Sequence, residues 1–484
     1  MKKIKNIFKS GGDRLRTRSI ILAVWFLFTI TGLCTAQAEE PGTTEEILKI
    51  LKERGIVTDQ QYDELTKKAE EEKKKQEKEY TVNWDNGINV ERNDDAFKIK
   101  IGGRILLDWG VISPDSALER NEENGVYGDN ALKGDGVKFR SARLGVAGAL
   151  WEDFVFKAVY DFAGGSTGFK DVYLGMENIP VVGELLVGQM KEPFSLEELI
   201  SGNYVTFMER SLPTAAFAPG RQTGIRASNA ILDKRMTLAI GAFYGDTDDD
   251  GDSNFDDVTN ADLTMRLTGL PLYADEGKRL LHLGLGYSHQ FRDEGETTAR
   301  YRNRPESNLT DVRLVDTGNI DLDSANLLNP EIAFVWGPFS LQGEYYWTKL
   351  DAKEAGDPTF QGAYLFGSWF ITGEHRPYLT SSGIFGRVKP INNFFPTAKG
   401  GLGAWELGLR WSWLDLDDKD IQGGKENNFT FGLNWYWNPN YRLMFNYIYA
   451  DVKDRGPFTT SDGTMIIVED GSANIFQMRF QVNF

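Results

Sequence analysis

The sequence predicts an all-β transmembrane protein: a sixteen-stranded antiparallel outer-membrane β-barrel with a short helical or coiled periplasmic segment at its N-terminus. Three observations favour this fold class. The first 38 residues resemble an export signal, apolar and polar residues alternate from Phe97 onward, and short connectors alternate with long ones. The 484-residue chain is therefore expected in the outer membrane of a Gram-negative type of cell, surrounded by lipid.

A basic segment followed by an apolar run opens the chain. Seven Lys or Arg residues precede or border the run at 20–33, and an Ala-x-Ala motif ends at Ala38. This order is typical of a secretory signal peptide, so residues 1–38 are predicted to be removed on export. A run of about 14 residues is too short for a stable transmembrane helix.

The predicted cleavage also removes Cys34, the only cysteine of the chain. A lipoprotein signal is the alternative, but Leu33 stands where that pathway prefers a small side chain. Residues 1–38 hold seven basic and one acidic side chain, so their removal takes the formal net charge from −17 to about −23. Such an acidic protein repels phosphate backbones, and no nucleic-acid partner is expected.

Residues 39–80 form a separate region. Apolar residues between Ile47 and Ala69 have roughly helical spacing, interrupted near Gly55, and the run 70–79 is nearly all Glu and Lys. The pattern predicts a periplasmic helical or coiled-coil arm. A solvated, partly frayed arm is an open alternative because the heptads are few.

Residues 81–484 are predicted to form the barrel, and period-two alternation begins there at Phe97. Ile99 and Ile105 share one face of the first strand, whereas Lys98 and Arg104 share the other. Successive side chains of a strand face opposite sides, so each segment has one apolar and one mostly polar face. A soluble sandwich would bury its apolar faces against a second layer. No such layer is evident, so we expect lipid outside and water inside.

The alternation predicts sixteen strands, an even number typical of bacterial barrels. Tight turns follow most even-numbered strands and longer loops follow most odd-numbered ones, which is the usual arrangement of short periplasmic turns and long external loops. The connector 375–401 is an exception, because it is long where a short turn is expected. The predicted strands are 96–109, 137–150, 153–162, 169–178, 183–191, 223–232, 235–245, 260–268, 279–291, 329–337, 338–350, 361–374, 402–414, 426–438, 440–451 and 474–484.

The last strand ends in Phe484 and carries an apolar residue at every second position from Phe476. A terminal strand of this kind resembles the signal read by the barrel-assembly machinery, which is therefore an expected partner. An ordinary edge strand is the alternative, although so apolar an exposed edge would favour aggregation.

Several motifs together resemble the phosphate-selective porin family, the O and P porins, over residues 96–484. They are FRSARLG at 139–145, GQMKEPFSLE at 188–197, Glu209-Arg210, GAWEL at 403–407 and GLNWY at 432–436. The resemblance implies a sixteen-stranded barrel, a homotrimer, and a pore narrowed by the third long loop, 192–222, folded inward.

The resemblance to phosphate-selective members is partial. These members place lysines soon after the Phe-x-Leu-Glu segment, where this chain has Glu198 and Leu199. Ser141 also separates Arg140 from Arg143, and side chains three residues apart share a strand face only if a bulge intervenes. Transport of phosphate or polyphosphate is thus implied with an incomplete site.

The inward strand faces hold about ten basic groups against six acidic ones, Asp108, Asp161, Glu177, Glu331, Glu344 and Glu406. Fixed positive charge in a tunnel concentrates anions, which predicts a porin for passive diffusion of small hydrophilic solutes with a weak to moderate anion preference. A general pore in which Arg and Glu pair across the lumen is the alternative. The pore-lining candidates are Lys98, Lys100, Arg104, Arg140, Arg143, Lys157, Lys191, Arg210, Arg221, Arg226, Arg266, Arg410, Arg442 and Arg479.

Three of these candidates, Lys191, Arg210 and Arg221, flank or occupy the third loop. They are the first choices for the constriction. Their alternative role is to pair with the glutamates of that loop and hold it against the wall.

A run of aspartates at 246–257 resembles the D-x-D-x-D-G calcium loop. Its candidate ligands are Asp246, Asp248, Asp250, Asp252 and Asp257. No cofactor is otherwise expected, and a solvated acidic external loop is the alternative to a Ca²⁺ site.

No enzyme is predicted. The three histidines, His282, His289 and His375, form no recognisable nucleophile or metal constellation in the sequence. A barrel lipid hydrolase and a structural or adhesive barrel using the arm and the long loops are the alternative functions.

Overall fold

The computed structural model describes residues 50–54, 57–77, 80–92, 96–118, 132, 134–165, 167–244, 260–292, 298–395, 400–454, 456, 458–459, 465–466 and 470–484. The predicted signal peptide 1–38 and the aspartate-rich loop 246–257 lie outside these residues. The chain divides into two compact units, Met1–Glu79 and Tyr80–Phe484.

The first unit contains a helical turn at 50–53 and the helix α1 (Asp59–Glu77). Thr58 and Gln61 form a capping box at the start of α1. The Thr58 amide donates to Gln61 Oε1 at 3.0 Å, and the Gln61 amide donates to Thr58 Oγ1 at 3.3 Å. The helix lies within the region for which the sequence predicts a helical arm.

No helix in the described part of the chain is long and apolar enough to cross a membrane.

The second unit is dominated by strands. They are β1 (Tyr80–Trp84), β2 (Ile88–Arg92), β3 (Phe97–Pro114), β4 (Gly134–Leu150), β5 (Phe154–Asp161), β6 (Gly168–Ile179), β7 (Gly183–Lys191), β8 (Arg221–Ile231), β9 (Met236–Tyr244), β10 (Ala261–Ala274), β11 (Arg279–Phe291), β12 (Thr298–Ala299), β13 (Arg302–Asn303), β14 (Val315–Asp316), β15 (Ile320–Trp336), β16 (Phe339–Ala352), β17 (Thr359–Phe370), β18 (Tyr378–Leu379), β19 (Ile384–Phe385), β20 (Ala404–Asp418), β21 (Ile421–Tyr436), β22 (Tyr441–Lys453), β23 (Phe458–Thr459), β24 (Met465–Ile466) and β25 (Gly471–Asn483). Two short helices, α2 (Leu196–Leu199) and α3 (Leu212–Phe217), lie in the loop between β7 and β8.

Sixteen of these strands form one closed antiparallel barrel, which confirms the predicted fold class. Each barrel strand pairs with the next, and the pairing of β25 with β3 closes the ring. The register runs from Ala473 opposite Pro114 to Asn483 opposite Arg104. The barrel strands, which overlap the sixteen predicted ones in order, are β3 to β11, β15 to β17, β20 to β22 and β25.

The outer barrel surface is apolar, as the alternation predicts. On β20, Leu409 is 66% exposed and Trp411 37% exposed, whereas the intervening Arg410 is 2% exposed. An aromatic cluster lies at the end of the barrel where the connectors are short, with Trp405 stacked on Trp435 at a centroid distance of 4.9 Å. This surface suits the hydrocarbon and interface regions of a membrane.

The inner surface is only partly polar. In the half of the barrel nearest the long loops, inward side chains such as Leu350, Leu414 and Ile448 are fully buried in one hydrophobic cluster. That cluster includes Phe207 and Leu212 of the loop between β7 and β8, and Tyr301 and Leu314 of the loop between β11 and β15. Two loops therefore fill part of the lumen.

A hairpin of β1 and β2 extends the wall beside β3, which the sequence analysis does not predict. β2 pairs with the first part of β3, Ile88 opposite Ile101 and Val90 opposite Ile99. Beyond that stretch, β25 takes the same side of β3, and the Phe484 amide donates to the Gly103 carbonyl at 3.0 Å. The terminal phenylalanine thus ends its strand against the hairpin.

Candidate permeation path

The third long loop, 192–220, folds into the lumen and is held against β16. Glu344 on β16 accepts hydrogen bonds from the amides of Leu196 (3.2 Å) and Glu197 (2.7 Å) at the start of α2. Ser195 caps the same turn through the Glu198 amide at 3.0 Å, and its hydroxyl lies 2.7 Å from that of Tyr346. The buried carboxylate satisfies donors that a short helix leaves unpaired.

A second contact fixes the third loop to β20 and to the loop between β11 and β15, which is the fifth long loop. The Leu212 amide donates to Ser412 Oγ at 2.9 Å and to Glu306 Oε1 at 3.2 Å. Arg410 pairs with Glu306 at 2.6 Å and with Glu197 at 3.5 Å. The third loop therefore crosses the lumen, because it is fixed to β16 and β20 and also contacts β3 and β4 through Arg104 and Arg140.

The hairpin of β18 and β19, in the connector between β17 and β20, also enters the lumen, from the opposite end. Its tip is held by Arg266 on β10, which donates to the Gly383 carbonyl at 2.9 Å and forms a salt bridge with Glu331 at 2.8 Å. The hydroxyl of Tyr378 lies 2.7 Å from His282 Nδ1. The unexpected length of this connector is thus explained by a small hairpin, β18 and β19, that packs on the inner wall.

Three adjoining cavities lie in the lumen, two along the wall of β3 to β10 and one between the third loop and the loop that connects β11 to β15. We call them the outer cavity (about 480 Å³, nearest the long loops), the central cavity (about 500 Å³) and the inner cavity (about 890 Å³). The outer and central cavities share Arg140, Glu209 and Arg210. The central and inner cavities share five residues, which define the junction: Lys157, Asp171, Lys191, Leu199 and Ile384. The shared lining residues place the three cavities side by side, and we call the series the path.

Basic side chains predominate along this path. Nine of them line the central cavity against the two acidic side chains Asp171 and Glu209. Eleven of the fourteen candidates from the sequence line the central or inner cavity: Lys100, Arg104, Arg140, Arg143, Lys157, Lys191, Arg210, Arg221, Arg226, Arg266 and Arg479.

The other three candidates lie elsewhere. Lys98 stands opposite Glu91 of β2, outside the cavities. Arg410 is buried behind the third loop, with its guanidinium 4.5 Å from the centre of the Phe207 ring. Arg442 donates to the Val205 carbonyl at 2.7 Å. The two arginines face inward, but the loop covers them.

A β-bulge brings Arg140 and Arg143 to the same cavity. Leu106 stands opposite Ser141 and Leu107 opposite Phe139, so Arg140 is the extra residue of β4. Arg140 donates to Glu209 through Nε at 2.9 Å and through Nη2 at 3.1 Å, and Arg143 binds Asp161 at 2.7 Å. The irregularity that the spacing of these arginines requires is therefore present.

Carboxylates neutralise many of the basic groups in or beside the third loop. Glu198 pairs with Lys191 at 3.1 Å and with Arg210 at 2.9 Å. Burial disfavours the charged form of Glu198, but Arg210 and Lys191 outweigh burial and lower its pKa. Burial opposes ionisation of Glu209 as well, yet Arg140 and Arg479 lower its pKa to about 2. Both glutamates are therefore anionic counter-ions at neutral pH.

Lys100 and Arg104 differ from the other basic residues of the central cavity. Among the described residues, neither has a carboxylate within salt-bridge distance. Lys100 donates to the Asp85 carbonyl at 3.1 Å, and Arg104 donates to Ser141 Oγ and Asn203 Oδ1 at 3.0 Å. No ion pair among the described residues neutralises their charge.

Asp171 is a counter-ion that the sequence analysis did not identify. It binds Lys157 at 2.6 Å and Arg221 at 2.7 Å at the junction of the central and inner cavities. Asp171 lies six residues before Glu177, which the sequence predicts to face inward. Residues an even number of positions apart share a strand face, and this spacing could have identified Asp171.

Replacing Asp171 by Asn is expected to raise the Cl⁻:K⁺ permeability ratio about two- to threefold, because two cations would lose their shared counter-ion in a focusing tunnel. Reversal potentials in planar bilayers measure this ratio. Asp233→Asn is the matched control, since Asp233 is exposed in the turn between β8 and β9. An unchanged ratio in Asp171→Asn would show that this carboxylate does not tune the path.

Within the described ranges, no group of three or more His, Cys, Asp or Glu side chains could hold a metal ion. The candidate calcium ligands lie outside those ranges. Of the histidines, His282 contacts Tyr378 and Glu331, and His289 Nδ1 lies 2.9 Å from Asn326 Oδ1.

Comparisons with known proteins give one family. A family model described as phosphate-selective porin O and P matches residues 119–484. Porin O of Pseudomonas aeruginosa is 25% identical over 402 residues, 75% of this chain and 85% of that protein. An uncharacterized protein of Caulobacter vibrioides is 27% identical over 407 residues, 83% of this chain and 77% of that protein.

Solved structures match more distantly. The trimer form of the outer membrane protein OmpT of Vibrio cholerae aligns with a TM-score of 0.48 at 11% identity, covering 81% of this chain and all of that one. An anion-selective porin from Comamonas acidovorans aligns with a TM-score of 0.47 at 14% identity, covering 80% of this chain and all of that one.

Proposed function

The chain belongs to the phosphate-selective porin O and P family, and from that membership we propose that it is an outer-membrane porin through which small hydrophilic anions diffuse passively. Family membership supports the proposal of a channel. The long loops then face the cell exterior, and the short turns and the connector 371–403 face the periplasm.

The observation that carries the anion preference is the surplus of basic groups along the path. The whole chain has a formal net charge of −17, yet nine basic and two acidic side chains line the central cavity. A narrow path with low-dielectric walls focuses such fixed charge and raises the local concentration of anions. The surface charge and the lining charge therefore have opposite signs.

Anions would enter through the outer cavity, which the fifth long loop lines with Arg300, Arg302, Arg304 and Arg313. Arg300 and Arg304 are held by aspartates, at 2.6 Å from Asp316 in the case of Arg300. Guanidinium groups offer paired donors to carboxylate or phosphate oxygens. Conduction requires that each site also release the ion, and several weak sites in series meet this requirement better than one tight site.

A dedicated phosphate site is not proposed. Glu198 stands in the part of the third loop where the resemblance implies lysines, and it pairs with Lys191 and Arg210. A carboxylate at this place repels phosphate and occupies the two cations that could bind it. We therefore propose a moderate preference for small anions in general.

The remaining parts of the proposal concern export and assembly. We propose export by the signal peptide 1–38, insertion by the barrel-assembly machinery through Phe484, and a homotrimer in the membrane. The alternating apolar residues that lead to Phe484 support the second step. Binding of Ca²⁺ by the loop 246–257 and oligomerisation through the 39–80 arm are proposals from the sequence alone.

Reversal potentials of the purified protein in planar bilayers test the proposed function. Under a steep KCl gradient we expect the reversal potential to have the sign of a channel that prefers Cl⁻, because the lining is cationic. Added salt at both sides should weaken the preference as screening increases. Preferential K⁺ flow would contradict the proposal, and failure to form channels would contradict the porin assignment itself.

A further inference from the structure

The junction of the central and inner cavities combines charged and aliphatic residues. Lys157, Lys191 and Asp171 line it together with Leu199 and Ile384. The Lys157 side chain retains 33% of its exposure although it binds Asp171. A solute that crosses this point therefore meets cations and aliphatic side chains together.

The register of the lumen hairpin explains the apolar side. Tyr378 pairs with Phe385, and Leu379 pairs with Ile384. Because successive side chains of a strand alternate, the first pair faces one way and the second pair the other. Tyr378 and Phe385 are buried against Leu280 and other residues of the inner wall. Leu379 and Ile384 line the central cavity, where Phe385 joins them, and Ile384 also packs on the cluster of Tyr378 and Phe385.

The exposure of this pair is unusual for a water-filled path. Leu379 keeps 45% of its surface exposed although it belongs to the lumen hairpin, and Ile384 lines both cavities. Leu199 of the third loop adds a third aliphatic side chain at the junction. Exposed apolar surface inside a concave site marks a binding surface for an apolar group.

We infer that the junction selects organic anions with an apolar body, namely aromatic or short alkyl carboxylates. This inference rests on the proposed function and names a solute class for it. The carboxylate would bind Lys157 and Arg221, two cations that share Asp171 as their one counter-ion, and the ring or alkyl group would lie on Leu379, Ile384 and Leu199. Inorganic phosphate needs donors on all sides, and the aliphatic side offers none.

Block of the chloride current tests this inference with three probes: benzoate, acetate and inorganic phosphate. Benzoate is expected to block at a concentration about fivefold lower than acetate, which corresponds to roughly 40 Å² of ring surface leaving water. Phosphate is expected to block no better than acetate. In Leu379→Gln/Ile384→Gln the difference between benzoate and acetate should fall below about twofold, because the amides remove the apolar contact.

Val181→Gln is the matched control. Val181 is 94% exposed in the turn between β6 and β7 and lines none of the three cavities, so this variant should keep the difference between benzoate and acetate. Equal block by the two carboxylates, stronger block by phosphate, or an unchanged difference in the double variant would each overturn the inference.

The reversal potential of the same bilayers distinguishes failure of the junction inference from failure of the proposed function. If the reversal potential shows anion preference but benzoate blocks no better than acetate, only the inference about the junction is rejected. If the reversal potential shows cation preference, the proposed function is rejected and the inference with it.

Discussion

Replacing Lys100 and Arg104 together by Glu is expected to abolish the anion preference of the channel, with the Cl⁻:K⁺ permeability ratio falling roughly tenfold. Both residues lie on the inward face of β3 and line the central cavity. They are four positions apart on the strand, a distance of about 13 Å, so an ion passes both in succession. The reversal potential in planar bilayers is the measurement.

The size of this effect follows from how the other cations are paired. Arg143, Lys157 and Arg479 each lie within 2.7 Å of a carboxylate oxygen. An ion pair presents little net charge to a passing solute, whereas Lys100 and Arg104 have no carboxylate within salt-bridge distance among the described residues. These two residues therefore carry much of the surplus positive charge.

Lys278→Glu/Lys419→Glu is the matched control for the charge reversal. It changes the net charge of the protein by the same amount, but both lysines are exposed in turns, between β10 and β11 and between β20 and β21, and neither lines the three cavities. Screening confines the influence of an exposed charge to about 10 Å at 0.1 M salt, so the ratio should stay close to that of the unmodified protein. A similar fall in both variants would mean that overall charge, rather than the lining, determines selectivity.

The outer face of the barrel could be predicted from the sequence because lipid imposes one rule on it. Every strand that crosses hydrocarbon must present apolar side chains at alternate positions. Leu409 and Trp411 follow that rule, and so do Phe429 and Phe431 on the next strand. The number, order and approximate bounds of the sixteen strands follow from this single pattern.

The inner face follows no such rule, because periodicity does not show what covers it. The strand β15 begins at Ile320, nine residues before the predicted start. There Ile320 and Leu322 point inward and are buried, while Asp321 is exposed. Beyond the hydrocarbon zone the apolar side packs on the fifth loop, so the polar and apolar sides exchange roles.

Parts of the path depend on contacts that local patterns cannot show. The bulge at Arg140 was predictable because two arginines three residues apart otherwise face opposite ways. The lumen hairpin was not, because β18 and β19 have two residues each and are stabilised by distant partners such as His282 and Arg266. Leu379 and Ile384 acquire a role only when those contacts turn them toward the cavity.

Replacing Glu344 by Ala is expected to release the third loop and lower the free energy of unfolding by about 3–5 kcal/mol. The carboxylate accepts from the amides of Leu196 and Glu197 and from the hydroxyls of Tyr346 and Tyr364. Each buried donor left without an acceptor costs about 1–3 kcal/mol, and water entering the vacated space offsets part of that cost. Chemical unfolding in detergent measures the loss.

Single-channel conductance separates release of the loop from a general loss of stability. A loop freed from β16 would lose its anchor at α2, so conductance should rise and fluctuate in Glu344→Ala. Glu344→Gln keeps one acceptor oxygen and should lose only about 1–2 kcal/mol. Ser340→Ala, on the same inward face of β16, removes one hydrogen bond to Ser368 without touching the third loop. If Glu344→Ala conducts like Ser340→Ala, the other contacts of the loop, among them those with Arg140, Arg410 and Arg442, hold it in place, and the carboxylate contributes stability without determining pore width.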